Sequence, residues 1–299
     1  LGKPEAAIAT LSGLAESPDP AIAANARLHQ VEILLELGRN AEARAIMPAI
    51  ETVAPENRPL ATFLESNLLL AEGRPQEAAA GFQQLVTRPQ GQSLRRHHTA
   101  VIGLADALRD SGAPETAADV LLNFIQDHQD SPQLGAMFQR LQDLLPETPS
   151  PSHPILDRLA QWITPPDLPA TGPLAALEGA VAAYPISSTS SDLLAFSLYT
   201  RALGLQRTTS PASRAMARFL LNRLRLENPE HFLANQALLL TAKWALDDGS
   251  PDRAFNILDA LRETAPSRVM QAEAAFLQAR TAWQHGDRKQ AARLFENAA

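Results

Sequence analysis

One pattern recurs along this chain and constrains its fold more than any other feature. A glycine is followed by alanine five residues later, by a large apolar residue four further on, and by another apolar residue after three more. Alanine also stands twelve residues before the glycine wherever the chain extends that far. A self-similar period of this length predicts stacked helical hairpins that bury their cores against one another. The pattern begins at Gly2, Gly38, Gly73, Gly112, Gly249 and Gly286.

The glycines mark the places where one helix ends and the next begins. Glycine adopts the left-handed backbone that closes a helix at no steric cost, and Pro75 and Pro114 stand in the first turns that follow Gly73 and Gly112. The alanines have a packing reason, because two helices approach closely only where one side chain is small and a larger one opposite fills the gap. We therefore expect an all-α chain of roughly fifteen or sixteen helices and no sheet.

The pattern also divides the chain into three segments. Residues 1–131 and 191–299 keep it and are predicted to form an N-terminal and a C-terminal array. Residues 132–190 lose it and are rich in proline and serine. Proline excludes long helices because it fixes φ and lacks an N–H donor, so we expect an irregular helical segment there, loosest between about residues 146 and 173. Whether residues 117–217 hold two repeats or three stays open.

Composition excludes several classes of function. A net charge of −7 argues against a nucleic-acid partner, which requires a basic face, and no apolar run approaches the ~18 residues that span a bilayer. The chain has no cysteine, so disulfides and thiolate metal sites are excluded. This absence slightly favours an exported bacterial protein of the periplasm or cell envelope over a cytoplasmic one. Because no catalytic, phosphate-binding or dinucleotide-binding motif occurs, we expect no enzyme activity, cofactor or metal.

Two adjacent histidines, His97 and His98, are candidates for metal binding. Neighbouring side chains on a helix point about 100° apart and make no metal site without further ligands. The solvated start of a helix is therefore the preferred interpretation.

The repeat residues resemble the tetratricopeptide repeat family. Its hairpin carries a small residue in the middle of the first helix, glycine in the turn, alanine early in the second helix, a large residue four later, and a final proline. Two stretches match this order well, Ala242-Gly249-Ala254-Leu258-Pro266 and Ala279-Gly286-Ala291-Phe295. The likeness fails between about residues 132 and 190, and the repeats run longer than the ~34 residues typical of the family. The resemblance implies a right-handed α-solenoid of antiparallel hairpins that is not catalytic and whose concave face binds peptides or proteins.

By this resemblance, the first helix of each hairpin lines the concave groove with residues ten, six and three positions before the turn glycine. The polar members could hold an extended backbone or a carboxylate. The alternative is that the apolar members are buried between adjacent hairpins. The predicted groove residues are Leu28, Glu32, Phe63, Asn67, Leu70, Asp106, Arg109, Lys243, Phe276, Arg280 and Trp283.

Two functions of different class follow from this sequence. The first is a non-catalytic scaffold or adaptor that binds a peptide or partner protein, within a bacterial cell-envelope or secretion assembly. The second is the helical repeat domain of a larger enzyme or transcriptional regulator. The chain begins within a hairpin and neither end has the polar face of a capping repeat, so we expect it to be an excerpt of a longer protein.

Overall fold

A computed structural model describes residues 4–90, 92–163, 191–264, 267–284 and 286–298. These residues form fifteen α-helices and two short 3₁₀ turns, with no β-strand among them. The prediction of an all-α fold built from helical hairpins is therefore confirmed. None of the described helices is both long and apolar enough to cross a membrane.

The chain divides into two compact units, Leu1–Leu144 and Leu145–Ala299. The first unit contains α1 to α8, with bounds Pro4–Ala15, Pro20–Glu36, Asn40–Ile46, Arg58–Ala71, Pro75–Thr87, Leu94–Asp110, Pro114–Asp127 and Leu134–Leu144. The 3₁₀ turns, Ile50–Thr52 and Pro55–Asn57, lie between α3 and α4. The second unit contains α9 to α15, with bounds Pro154–Ile163, Ser191–Gln206, Pro211–Glu227, Phe232–Asp247, Pro251–Thr264, Arg268–Gln284 and Arg288–Ala298.

Residues 164–190, which are a little under half of the predicted irregular segment, lie outside the described residues. The predicted boundaries at 131/132 and 190/191 stay predictions. Up to Ile163 that segment holds α8, which packs on α6 and α7 of the first unit, and α9, which packs on α10 of the second.

The turn glycines close their helices as the sequence predicts. Gly38, Gly73, Gly112, Gly249 and Gly286 have φ between 71° and 84°, and no other described residue has a positive φ. At each turn the glycine N–H bonds to the carbonyl three residues back, and the next N–H bonds to the carbonyl five residues back. This pair of bonds is the Schellman motif, which satisfies the last carbonyls of a helix.

The alanine early in each second helix lies at the closest approach of two helices. Ala43, Ala78, Ala117, Ala254 and Ala291 are all completely buried. The equivalent residue of α1, Ala7, is exposed, because α1 contacts α2 through a different face. There the Gln30 amide donates hydrogen bonds to the Ile8 carbonyl and the Ser12 hydroxyl.

First helices also contact one another along the first unit. Helix α2 packs against α4, α4 against α6, and α6 against α8, while each also packs against the second helix between them. The predicted groove residues of this unit lie on α2, α4 and α6.

Candidate interaction surfaces

The apolar groove residues of the first unit are mostly buried. Leu28 is 0% exposed and belongs to the core formed by α2, α3 and α4, so its predicted place in a groove is corrected to a core position. Phe63 and Leu70 of α4 are half-buried. Phe63 packs edge-on against Phe82 of α5 with ring centroids 6.0 Å apart. Leu70 packs against a second core, formed by α4, α5 and α6, to which Phe82 belongs. For these residues, packing between hairpins leaves little surface for a partner.

The polar groove residues of the first unit already have partners within the unit. The Asn67 amide donates to the Phe63 carbonyl at 2.8 Å. The Asp106 carboxylate lies 2.7 Å from Arg140 of α8 and 3.2 Å from Arg109. Glu32 lies 3.2 Å from the ring nitrogen of His29 one turn earlier. Each of these groups would have to exchange a partner on binding, which reduces the net gain.

The groove residues of the second unit form a different surface, because its aromatic members are exposed. Lys243 of α12 pairs with Glu273 of α14 at 2.8 Å. Further along α14, Phe276 is 49% exposed and Trp283 is 58% exposed. Arg280 lies one turn after Phe276 and is also exposed. No ion pair to Arg280 occurs among the described residues.

Helix α15 extends this surface with residues that the sequence analysis did not assign to it. The rings of Phe276 and Phe295 meet edge-on with centroids 5.8 Å apart. Near the turn, the Arg288 guanidinium lies 5.8 Å from the centre of the Trp283 ring, a cation–π distance. We call Phe276, Arg280, Trp283, Arg288, Ala292 and Phe295 the α14–α15 surface; the last three lie at i, i+4 and i+7 on α15 and so share a face.

The repeat positions of Phe276 and Phe295 are buried one repeat earlier in the second unit. Leu239 and Leu258, which precede Phe276 and Phe295 by 37 residues in the sequence, are 5% and 0% exposed. Both lie in the core that α14 completes with Ala274 and Leu277. In the described chain no helix covers α14 and α15 in the way that α14 covers α12 and α13. This difference in neighbours, and not in residue type, makes Phe276 and Phe295 accessible.

Three histidines form a second cluster, between α6 and α7. His98 is buried and its Nδ1 lies 2.8 Å from the Ser131 hydroxyl. The ring of His128 stacks on Phe124 with centroids 4.0 Å apart. Burial lowers the pKa of His97 and of His98, and the neighbouring His128 lowers both further. The interpretation of these residues as a solvated helix start is wrong for His98, because this face of α6 packs against α7.

The cluster has no arrangement typical of a metal centre. Among the described residues, no group of three or more histidine and carboxylate side chains is placed to hold an ion. The ring contacts instead join α6 to α7, since both His97 and His98 lie within 6 Å of Phe124.

A match to a known family supports the repeat assignment. The tetratricopeptide repeat family matches residues 63–132, which cover the greater part of α4 and the whole of α5, α6 and α7. No curated protein matches. Among solved structures, the apo form of the quorum sensor NprR from B. thuringiensis aligns over 99% of this chain and 97% of its own, with 8% identity and a TM-score of 0.43. With the family match, the Schellman turns and the buried alanine column, this chain is a tetratricopeptide-like helical repeat protein of the protein-interaction class.

Proposed function

We propose that this chain is a non-catalytic scaffold that binds a peptide or a partner protein along the faces of its first helices. The α14–α15 surface of the second unit is the part of that binding site that we assign to specific residues. The scaffold works within a bacterial cell-envelope or secretion assembly; the absence of cysteine supports an exported protein without selecting a partner.

One observation carries this proposal, namely two large aromatic side chains exposed on one stripe of α14. Phe276 and Trp283 stand seven residues apart, which places them on the same side of the helix about 10.5 Å from each other. Each exposes about half of its side chain. A stripe of this kind beside charged groups marks an interaction surface, and tryptophan and arginine are the residues most enriched among those that dominate interface energies.

The other predicted groove residues are expected to contribute less to partner binding than Phe276 and Trp283. The polar groups of the first unit are occupied by internal hydrogen bonds and ion pairs. In the second unit Arg280 is exposed and has no ion pair with another described residue, so it is available to bind a carboxylate.

Site-specific photo-crosslinking tests the proposal. Benzoylphenylalanine is introduced in place of Phe276, of Trp283 or of Gln83, an exposed residue on α5 of the first unit. A protein partner purified from the source cells should crosslink at the first two positions and not at the third. The same partner should bind the Trp283→Ala protein at least tenfold more weakly in calorimetry, because the loss of a central aromatic anchor costs about 2 kcal/mol or more.

Crosslinks of equal yield at all three positions, or an unchanged affinity of the Trp283→Ala protein, would show that the partner does not use this surface. Circular dichroism of each variant verifies that the helices remain folded. Since Trp283 is largely exposed, its replacement should leave the unfolding midpoint nearly unchanged.

A further inference from the structure

We infer that acid opens the first unit at one point, where protonation of His98 releases the turn between α7 and α8 from α6. This turn comprises residues 128–133, and we call it the α7–α8 turn. The inference concerns the first unit and is independent of the binding surface proposed for the second. Its physical basis is a buried imidazole that holds the turn only while the ring is neutral.

The His98 ring connects α6 to the α7–α8 turn. The residue is 2% exposed, and its Nδ1 lies 2.8 Å from the Ser131 hydroxyl. The same hydroxyl accepts the Gln133 N–H at 3.1 Å, and the Ser131 carbonyl accepts the Leu134 N–H at 3.1 Å. Ser131 therefore joins His98 to the backbone that begins α8. The ring also contacts that of His128, at the start of the turn, with centroids 5.6 Å apart.

The neutral form of His98 suits this site and the charged form does not. A neutral imidazole has one N–H donor, whereas the imidazolium has two and needs an acceptor for each. The Ser131 hydroxyl can serve Nδ1, but the buried Nε2 has no hydrogen-bond partner in the described chain. Nδ1 of the neighbouring His97 is also buried without a partner there. A second proton on His98 would thus bury an unpaired charged donor, which is strongly unfavourable.

No carboxylate is placed to compensate a charge on this ring. Helices α4, α5, α7 and α8 all pack on α6. The charged residues at this end of α6 and of these helices are Arg58, Arg88, Arg95, Arg96, Asp127 and Asp130, and α8 has none before Arg140. Among the described residues, the histidines within ion-pair distance of a carboxylate are His29 and His231. Burial lowers the pKa of His98 most, and the charges of His128 and His97 lower it further.

The far end of α8 is held by contacts that this proton does not affect. The Arg140 Nε lies 2.7 Å from the Asp106 carboxylate of α6. Arg140 is six residues after the start of α8, or about 9 Å further along the helix. Met137, Phe138 and Leu141 of α8 are completely buried. Opening should therefore be confined to the turn and the first residues of α8.

The direction and size of the effect follow from proton linkage. In the released turn His98 has the ordinary pKa of about 6.5, and in the closed turn its pKa is lower. The contribution of His98 to the stability of the closed turn is therefore fully present above about pH 6.5 and is lost as the pH falls below this value. Uptake of one proton on opening raises the opening constant about tenfold between pH 7.5 and pH 5.5.

Hydrogen exchange of the full chain, followed by mass spectrometry, tests the inference. Rates are measured at pH 7.5 and pH 5.5, and each is divided by the intrinsic exchange rate at that pH. The reporting amides are those of Ser131, Gln133 and Leu134, and the internal control is residues 139–144 at the end of α8. On acidification we expect the corrected rate to rise about tenfold at the turn and less than twofold at the control residues.

Three variants test whether His98 is the source of the effect. His98→Gln cannot take up a proton, so its turn should exchange at nearly the same corrected rate at both pH values. His29→Gln, a change at an exposed histidine of α2, should keep the wild-type response. Ser131→Ala removes the hydroxyl without changing a charge, so at pH 7.5 it should speed exchange of the turn at least threefold and leave residues 139–144 unchanged. The Ser131→Ala result stays decisive if His98→Gln fails to fold.

Three results would overturn the inference. One is an equal acid response at the turn and at residues 139–144, which would mean that acid destabilises the first unit as a whole. Another is an acid response of the turn that His98→Gln leaves unchanged. The third is an exchange rate of the turn that Ser131→Ala does not alter at pH 7.5. None of these measurements involves the α14–α15 surface, so the proposed function is tested separately.

Discussion

Gly103 of α6 is the position where the packing of the first unit can be tested most sharply. A Cβ atom added at this glycine would lie 2.6, 2.7 and 3.0 Å from three ring carbons of Phe82. Phe82 is fully buried on α5 and cannot rotate into solvent. Its ring is also held by the edge-on contact with Phe63. We therefore expect Gly103→Ala to force apart the contact between α5 and α6.

The expected cost combines two opposing effects. Overpacking of a well-filled core costs about 1–3 kcal/mol. Alanine in place of glycine within a helix contributes about 0.5–1 kcal/mol of stability, because the unfolded chain loses less conformational entropy. The net loss in the free energy of unfolding should be about 0–2.5 kcal/mol, with a central value of about 1 kcal/mol. An alanine that met no neighbour would instead raise the stability.

Urea denaturation followed by circular dichroism measures this change. The matched control is Gly13→Ala in α1, where an added Cβ meets nothing within 4 Å and the stability should stay the same or rise slightly. In a Phe82→Leu background the Gly103→Ala change should cost at least about 0.5 kcal/mol less, because the smaller side chain leaves room. If Gly103→Ala matches Gly13→Ala in its effect, α5 and α6 do not pack through the Phe82 ring at this point.

Two further predictions concern the first unit. Ala78→Leu should lower the free energy of unfolding by about 1–3 kcal/mol because Ala78 is completely buried, whereas Ala80→Leu on the exposed face of α5 should change it little in the same urea titration. Stability should also fall as the pH drops through about 6.5, because burial lowers the pKa of His97 and His98 below this ordinary value and the unfolded chain then binds more protons. The paired change of His97 and His98 to Gln should flatten this dependence more than the exposed His29→Gln does, and equal slopes would contradict the assignment.

The hairpin repeat could be predicted from the sequence because its causes are local. A glycine needed for a positive φ and an alanine needed for close approach recur at fixed spacing whatever lies further along the chain. Gly73 and Ala78 illustrate this, since the first closes α4 with φ at 74° and the second is completely buried on α5. The helix ends and the packing face of each second helix follow from such pairs.

Burial of the first helices could not be predicted in the same way, because it depends on contacts between hairpins. Leu28 and Phe276 occupy the same repeat position, yet the first is fully buried and the second is half exposed. His98 stands beside two arginines in a polar stretch and is nevertheless buried against α7. Gly103 carries a local signal, a glycine within a strong helix, which often marks a close approach. Its partner Phe82 is apparent only from the packing of α6 on α5.

Because the hairpin repeats, the same sequence position can be compared in two hairpins that have different neighbours. Where α14 covers the preceding hairpin, the column holds Leu239, the basic residue Lys243 and an acidic partner on the covering helix. One repeat later the apolar and basic members remain, as Phe276 and Arg280, while the described chain contributes no covering helix. The apolar residue also becomes aromatic, which increases the area that a partner can bury. Burial at such a position is therefore determined by the helix that packs on it, which residue type and spacing within one hairpin do not specify.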